Sequence, residues 1–187
     1  MRRLILLALL AAAPLAAQRP SVPYVDEGVC PFECCTYREW TARNVIRAYP
    51  EPRRGVAPAF TLRPGERFRA LTGHVRFDSL AVLVMRRPMT LTDTSERETV
   101  RVAPGDTVYV LSPVGEGYTR LWVRGKIVVE EEFWAPPGQD DPADPAFKAR
   151  LLRDADSKWW VKVRTRTGRL GWIDMDQARE TGADACG

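Results

Sequence analysis

The chain has 187 residues, of which 28% are charged and 45% hydrophobic, and a formal net charge of +4. This composition excludes a disordered or collagen-like chain and fits one large domain or two small ones. Fifteen Pro and thirteen Gly argue against a helical bundle and for short strands joined by turns. A single histidine, His74, argues against the multi-histidine sites of most zinc hydrolases.

The chain opens with Arg2 and Arg3, an unbroken apolar run from Leu4 to Ala13, Pro14, and Leu15-Ala16-Ala17 before Gln18. This is the pattern of a secretory signal peptide over residues 1–17. The run is too short for a membrane-spanning helix, which needs about 20 residues, and no second span follows. The expectation is an exported protein, secreted or periplasmic, without a membrane span. No cysteine follows the cleavage box, so no lipid anchor is expected there.

Residues 18–40 form a cysteine-containing segment with Cys30, Cys34 and Cys35; the fourth cysteine, Cys186, is penultimate. An even count in an exported chain predicts two disulfides. A vicinal Cys34–Cys35 bridge is strained. Cys186 is therefore expected to pair with Cys34 or Cys35, and Cys30 with the other. A metal or redox role is disfavoured, because there is no Cys-x-x-Cys and no nearby His.

Charge is unevenly distributed. Residues 36–77 carry nine Arg (38, 43, 47, 53, 54, 63, 67, 69, 76) against Glu39, Glu51 and Glu66, whereas residues 90–158 carry nine basic and thirteen acidic groups. A cationic segment suits an anionic partner or a self-complementary surface. The mature part, with 26 basic and 24 acidic residues, is too nearly neutral to suggest nucleic acid.

Strands are predicted at Asn44–Tyr49 and His74–Met85, with a basic loop from Pro50 to Gly55 between them. A hairpin is predicted over Tyr118–Val129, turning at Arg124-Gly125. Asp144 can cap a short helix that has Pro145 at its first position, pairs Phe147 with Leu151 and ends near Arg153. It would follow an acidic loop from Pro136 to Pro145, whose aspartates lack the spacing of a calcium loop.

Residues 62–72 (Leu-Arg-Pro-Gly-Glu-Arg-Phe-Arg-Ala-Leu-Thr) and 102–112 (Val-Ala-Pro-Gly-Asp-Thr-Val-Tyr-Val-Leu-Ser) align without gaps at an offset of 40. In each, Pro-Gly makes a turn that opens a strand, and the alternation Phe68/Ala70 or Val108/Val110 marks the inward face. Two copies of one small β unit are the expectation.

The C-terminal stretch reads Trp159-Trp-Val-Lys-Val163, a turn at Arg166-Thr-Gly-Arg169, then Leu170-Gly-Trp-Ile173. Alternation puts Trp159, Val161 and Val163 on one face and Trp160, Lys162 and Arg164 on the other; Trp172 lies with Asp174. Two Trp therefore fall on polar faces.

Trp160-x-x-Val163, the turn Gly168 and Gly171-Trp172-Ile173, preceded by the Pro-Gly-Asp strand, resemble bacterial SH3-like domains. The resemblance covers roughly 102–175, and residues 41–88 share only the Pro-Gly-Glu strand. It implies a mainly β fold of two small SH3-like β-barrel units. The first would span 41–88. The second would span 89–187, with an insertion at 115–157 that holds the short helix and with a C-terminal cysteine tail. Such domains are accessory modules that bind cell-wall peptides or protein ligands. By that analogy Trp160 and Trp172, with Tyr109 or Tyr118, would make an aromatic cleft for an extended peptide, and Lys162 and Arg164 would take its carboxylate. The alternative is a structural or protein-interaction subunit of the envelope, in which the Trp residues are core. No Gly-x-Ser-x-Gly, His-Glu-x-x-His or phosphate loop is present. No catalytic residue, cofactor or metal is therefore expected, and a hydrolase is the remote alternative.

Overall fold

The computed structural model describes residues 19–92, 99–115, 117–131 and 149–186. The leader 1–17, the acidic loop 136–145 and the first residues of the expected helix lie outside them. The described chain is mainly β. None of its helices is long and apolar enough to cross a membrane.

Two sets of strands alternate along the chain. β2 (Glu39–Ala42), β3 (Ile46–Tyr49), β4 (Phe60–Leu62) and β5 (Arg67–Ser79) come first, and β13 (Asp156–Thr165) and β14 (Leu170–Asp174) join them much later. In that sheet β2 pairs with β5, β5 with β13, β13 with β14, β14 with β3, and β3 with β4. β1 (Tyr24–Glu27) adds to β5, and β15 (Glu180–Thr181) adds to β2. The inner side buries Trp40, Ile46, Phe60, Leu62, Phe68, Val161, Val163 and Ile173 in one core.

Between β5 and β13 runs the second set. β6 (Ala81–Met85), β9 (Thr107–Gly115), β10 (Tyr118–Val123) and β11 (Lys126–Glu131) form one sheet. β7 (Met89–Thr92) and β8 (Thr99–Val102) form a two-stranded ladder. They enclose a second core, which includes Leu83, Met85, Leu91, Val102, Val108, Leu121 and Val128. A third cluster, with Val75, Phe77, Leu80 and Leu111, joins the two.

The two Pro-Gly turns have the same hydrogen bonds. Gly65 and Gly105 have φ of 82° and 90°, values a side chain disfavours. Gly65 N–H donates to Ala42 O (2.8 Å) and Gly105 N–H to Met85 O (2.9 Å). The acids close the turns alike: Glu66 accepts from Arg63 N–H (3.1 Å) and Asp106 from Ala103 N–H (2.7 Å). Asp106 lies below the ordinary carboxylate range, chiefly because of that Ala103 bond. Arg124 adds to the effect, and desolvation opposes it. A carboxyl lowered on folding contributes stability above its unfolded value, near ~3.9, and loses it as pH falls through the folded value. Unfolding curves taken across acidic pH should show that loss in wild type. Asp106→Asn should flatten it.

The hairpin at Arg124-Gly125 forms as expected, with Val123 opposite Lys126 and both turn residues at positive φ. Two expectations are corrected. The described end of the predicted helix is a strand, β12 (Ala149–Arg153), paired antiparallel with β6. Leu151 lies opposite Leu83 there, and ladder bonds along the β6 edge outweigh a helix too short to be stable alone. The hairpin 159–175, expected with residues 102–112, pairs instead with β5 and β3. Conversely β6, placed with 41–88, pairs with β9. The boundary expected near residue 88 is therefore not a boundary between the strand sets.

The cysteines pair as Cys30–Cys35 and Cys34–Cys186, which resolves the two alternatives. Two disulfides are consistent with an oxidising, extracytoplasmic environment. The tail lies along the N-terminal segment: Ala185 N–H donates to Cys34 O, and Arg38 donates to the carbonyls of Gly182 and Asp184.

Candidate ligand face

β5, β13, β14 and β3 alternate, so the residues facing away from the first core line up in cross-strand rows. Trp160 lies opposite His74 and Asp174, Lys162 opposite Thr72 and Trp172, and Trp172 opposite Tyr49. Trp160, Trp172, Lys162 and Arg164 thus share one outer face. A bulge in β5 between Ala70 and Thr72 shifts the register. That shift lets Ala70 and Val75 both face inward.

The face is half closed. Trp160 is 1% exposed. The edge of the Tyr49 ring packs on it, with centroids 5.9 Å apart. Its indole Nε1 has no hydrogen-bond partner among the described residues. Its ladder partner Asp174 is also buried. Arg54 comes across from the basic loop and ion-pairs with Asp174 and, at 3.0 Å, with Asp176. Those carboxylates raise the Arg54 guanidinium above its ordinary value, chiefly through the hydrogen bond to Asp174. Trp160 therefore offers no ring face to a ligand in this conformation.

Trp172 is half-buried and remains accessible. The His74 ring lies 4.5 Å from it, tilted by 53°. Lys162 Nζ lies 5.8 Å from its centroid, within cation–π range. Gly171 beneath it packs on β3: a Cβ there would fall 2.9 Å from Phe60 Cε1 and 3.1 Å from Ala48 Cβ. This explains why glycine precedes the tryptophan. Among the described residues, neither Lys162 nor Arg164 has an acidic partner.

The two tyrosines lie elsewhere. Tyr109, paired with Trp122, packs against the cluster that holds Val75 and Phe77, residues on the opposite side of β5 from His74. Tyr118 borders a separate depression of about 520 Å³, with Phe32, Glu33, the Cys30–Cys35 knot and Arg120. Behind it, buried Asp26 accepts from Ser112 and Arg120 and ties β1 to β9 and β10. Tyr109 and Tyr118 therefore do not join Trp172 in a cleft.

Sequence reasoning missed His74 and Arg69 as members of this face. His74 lies opposite Trp160 and Arg69 opposite Arg164. The only hint of Arg69 was the arginine-rich run 36–77. Its placement depends on a register that no local pattern encodes.

No family model matches this chain, and no curated protein and no solved structure shows a significant match to it.

Proposed function

We propose that this chain is an exported, non-catalytic binding module that takes a cell-wall peptide or another envelope ligand on the Trp172 face. The observation that carries this reading is the accessible Trp172 ring beside His74 and Lys162, on a sheet face where, among the described residues, Lys162 and Arg164 have no acidic partner. A flat aromatic surface beside a cation suits an extended backbone that ends in a carboxylate. Covering one Trp face contributes about 1–3 kcal/mol, enough for weak binding only.

We further read the two strand sets as two SH3-like barrel units, with β6–β12 inserted into the first between β5 and β13. The matched Pro-Gly turns and the shared order of a strand, the Pro-Gly strand and a hairpin, β2-β5-β13-β14 in one set and β6-β9-β10-β11 in the other, support this. The signal peptide and the two disulfides support export.

The burial of Trp160 favours a second reading, a structural or protein-interaction subunit of the envelope. Titration with muropeptides, followed by tryptophan fluorescence, separates the two. The binding reading expects a saturable change in wild type that is lost in Trp172→Phe, with the circular dichroism of both proteins alike. No change up to millimolar muropeptide favours the subunit.

A further inference from the structure

Arg69 and Arg164 are direct partners in the β5–β13 ladder, with Cα atoms about 4.5–5.5 Å apart. Both are exposed on the outer face. Like charges directly opposite each other destabilise a sheet, and a fold usually places an acid there. On the other side of Arg69 in the same row lies Glu39. That carboxylate is taken by Arg67 instead. Among the described residues, neither Arg69 nor Arg164 has any ion pair or hydrogen-bonding side-chain partner.

The pair borders an open depression of about 380 Å³, which is also lined by Glu39, Phe68, Arg166 and Gly168. Arg166 comes from the β13–β14 turn. The turn is held by Thr165 N–H to Arg169 O (2.9 Å) and Gly168 N–H to Thr165 O (3.0 Å). Three arginines and one glutamate thus line the depression, and the glutamate is already paired with Arg67. Guanidinium forks match the oxygens of phosphate and carboxylate bidentately.

We propose that Arg69, Arg164 and Arg166 form an oxyanion subsite, for a phosphate or carboxylate group of the ligand. The subsite continues the Trp172 face along β13, two residues beyond Lys162, and so rests on that face being a ligand surface. A bound oxyanion supplies the charge that the ladder lacks and bridges the two opposed arginines.

The test uses the whole mature protein and two inorganic or simple probes, phosphate and citrate, against chloride at matched ionic strength. Thermal unfolding and binding are followed for wild type, Arg69→Gln and the control Arg101→Gln on β8. In chloride, Arg69→Gln should melt higher than wild type, because the like-charge pair is gone. A merely structural arginine would give the opposite sign. Phosphate or citrate should raise the melting temperature of wild type and of Arg101→Gln more than that of Arg69→Gln. The affinity of the variant for the probe should fall by at least about tenfold, the scale of a lost charged hydrogen-bonding partner. A stronger response to phosphate assigns a phosphoryl group, and a stronger response to citrate assigns a carboxylate. Equal shifts in all three proteins reflect general salt exclusion and overturn the proposal, as does a variant that melts lower in chloride. If Arg69→Gln does not fold, Arg164→Gln carries the same expectations. The muropeptide titration is independent: a Trp172 signal that fails while the phosphate response stands refutes the peptide reading and leaves the oxyanion subsite.

Discussion

Replacing Cys34 and Cys186 together by serine should lower the unfolding free energy by ~2–5 kcal/mol. The bridge spans 152 residues. In the chain-entropy model a loop of that size lies at the upper end of the range, ~5 kcal/mol, because the reduced unfolded chain gains the freedom of nearly the whole domain. The folded state loses more than a crosslink, since the tail that carries Cys186 also bonds Cys34 O and Arg38. Cys30–Cys35 closes only five residues, and its removal should cost less. Denaturant unfolding of the two double-serine variants checks the order. Equal losses, or none for Cys34–Cys186, would contradict the role given to the long bridge.

Gly73→Ala should be the most damaging single methyl in the first strand set, costing ~3 kcal/mol, the upper part of the range for overpacking. A Cβ on Gly73 would meet the Tyr37 hydroxyl directly, with Trp159 Nε1 at 2.6 Å and Val29 O at 2.8 Å. The Tyr37 hydroxyl donates to Val29 O and accepts from Trp159 Nε1 at 3.3 Å. Burial raises this tyrosine above its ordinary value. The methyl would break the link between the N-terminal segment and β13. Gly168→Ala is the comparison. Nothing lies within 4 Å of its Cβ position, and only its φ of 85° resists a side chain, so its cost should stay near ~1–2 kcal/mol. Denaturant midpoints of the two variants measure the difference. A Gly73→Ala protein as stable as Gly168→Ala would mean that Tyr37 and Trp159 are free to move aside.

What the sequence discloses is what short range decides. The Pro-Gly turns, the Arg124-Gly125 hairpin and the alternation of Trp159, Val161 and Val163 follow from local backbone and side-chain rules. They reappear as strands with those faces buried. What it hides is partner choice. The hairpin 159–175 has a good Pro-Gly-Asp strand nearer in sequence, but it adds to β5 and β3, where Val161, Val163 and Ile173 complete the core around Trp40 and Phe68. Adjacency in sequence favours neighbours, and here an intervening set of strands with a core of its own overrides it. Trp160 shows the same limit at the site. Its place on a polar face was legible, but Tyr49 and the Arg54–Asp174 pair close over that end. The helix ending near Arg153 failed for a related reason, because the edge of β6 offers Ala149–Arg153 a ladder that no local pattern displays.

Residue-resolved amide and indole NMR during a muropeptide titration reports whether the open half of the β5–β13–β14 face binds an extended peptide. The expected result is saturable shifts at the Trp172 indole, Gly171, Lys162, Arg164 and His74, with Trp160 responding less because it is enclosed. Tyr118 and Arg120, at the separate depression, should stay unmoved. Shifts centred on Tyr118, Arg120 and the Cys30–Cys35 knot, or none on the Trp172 face at saturating peptide, would contradict it.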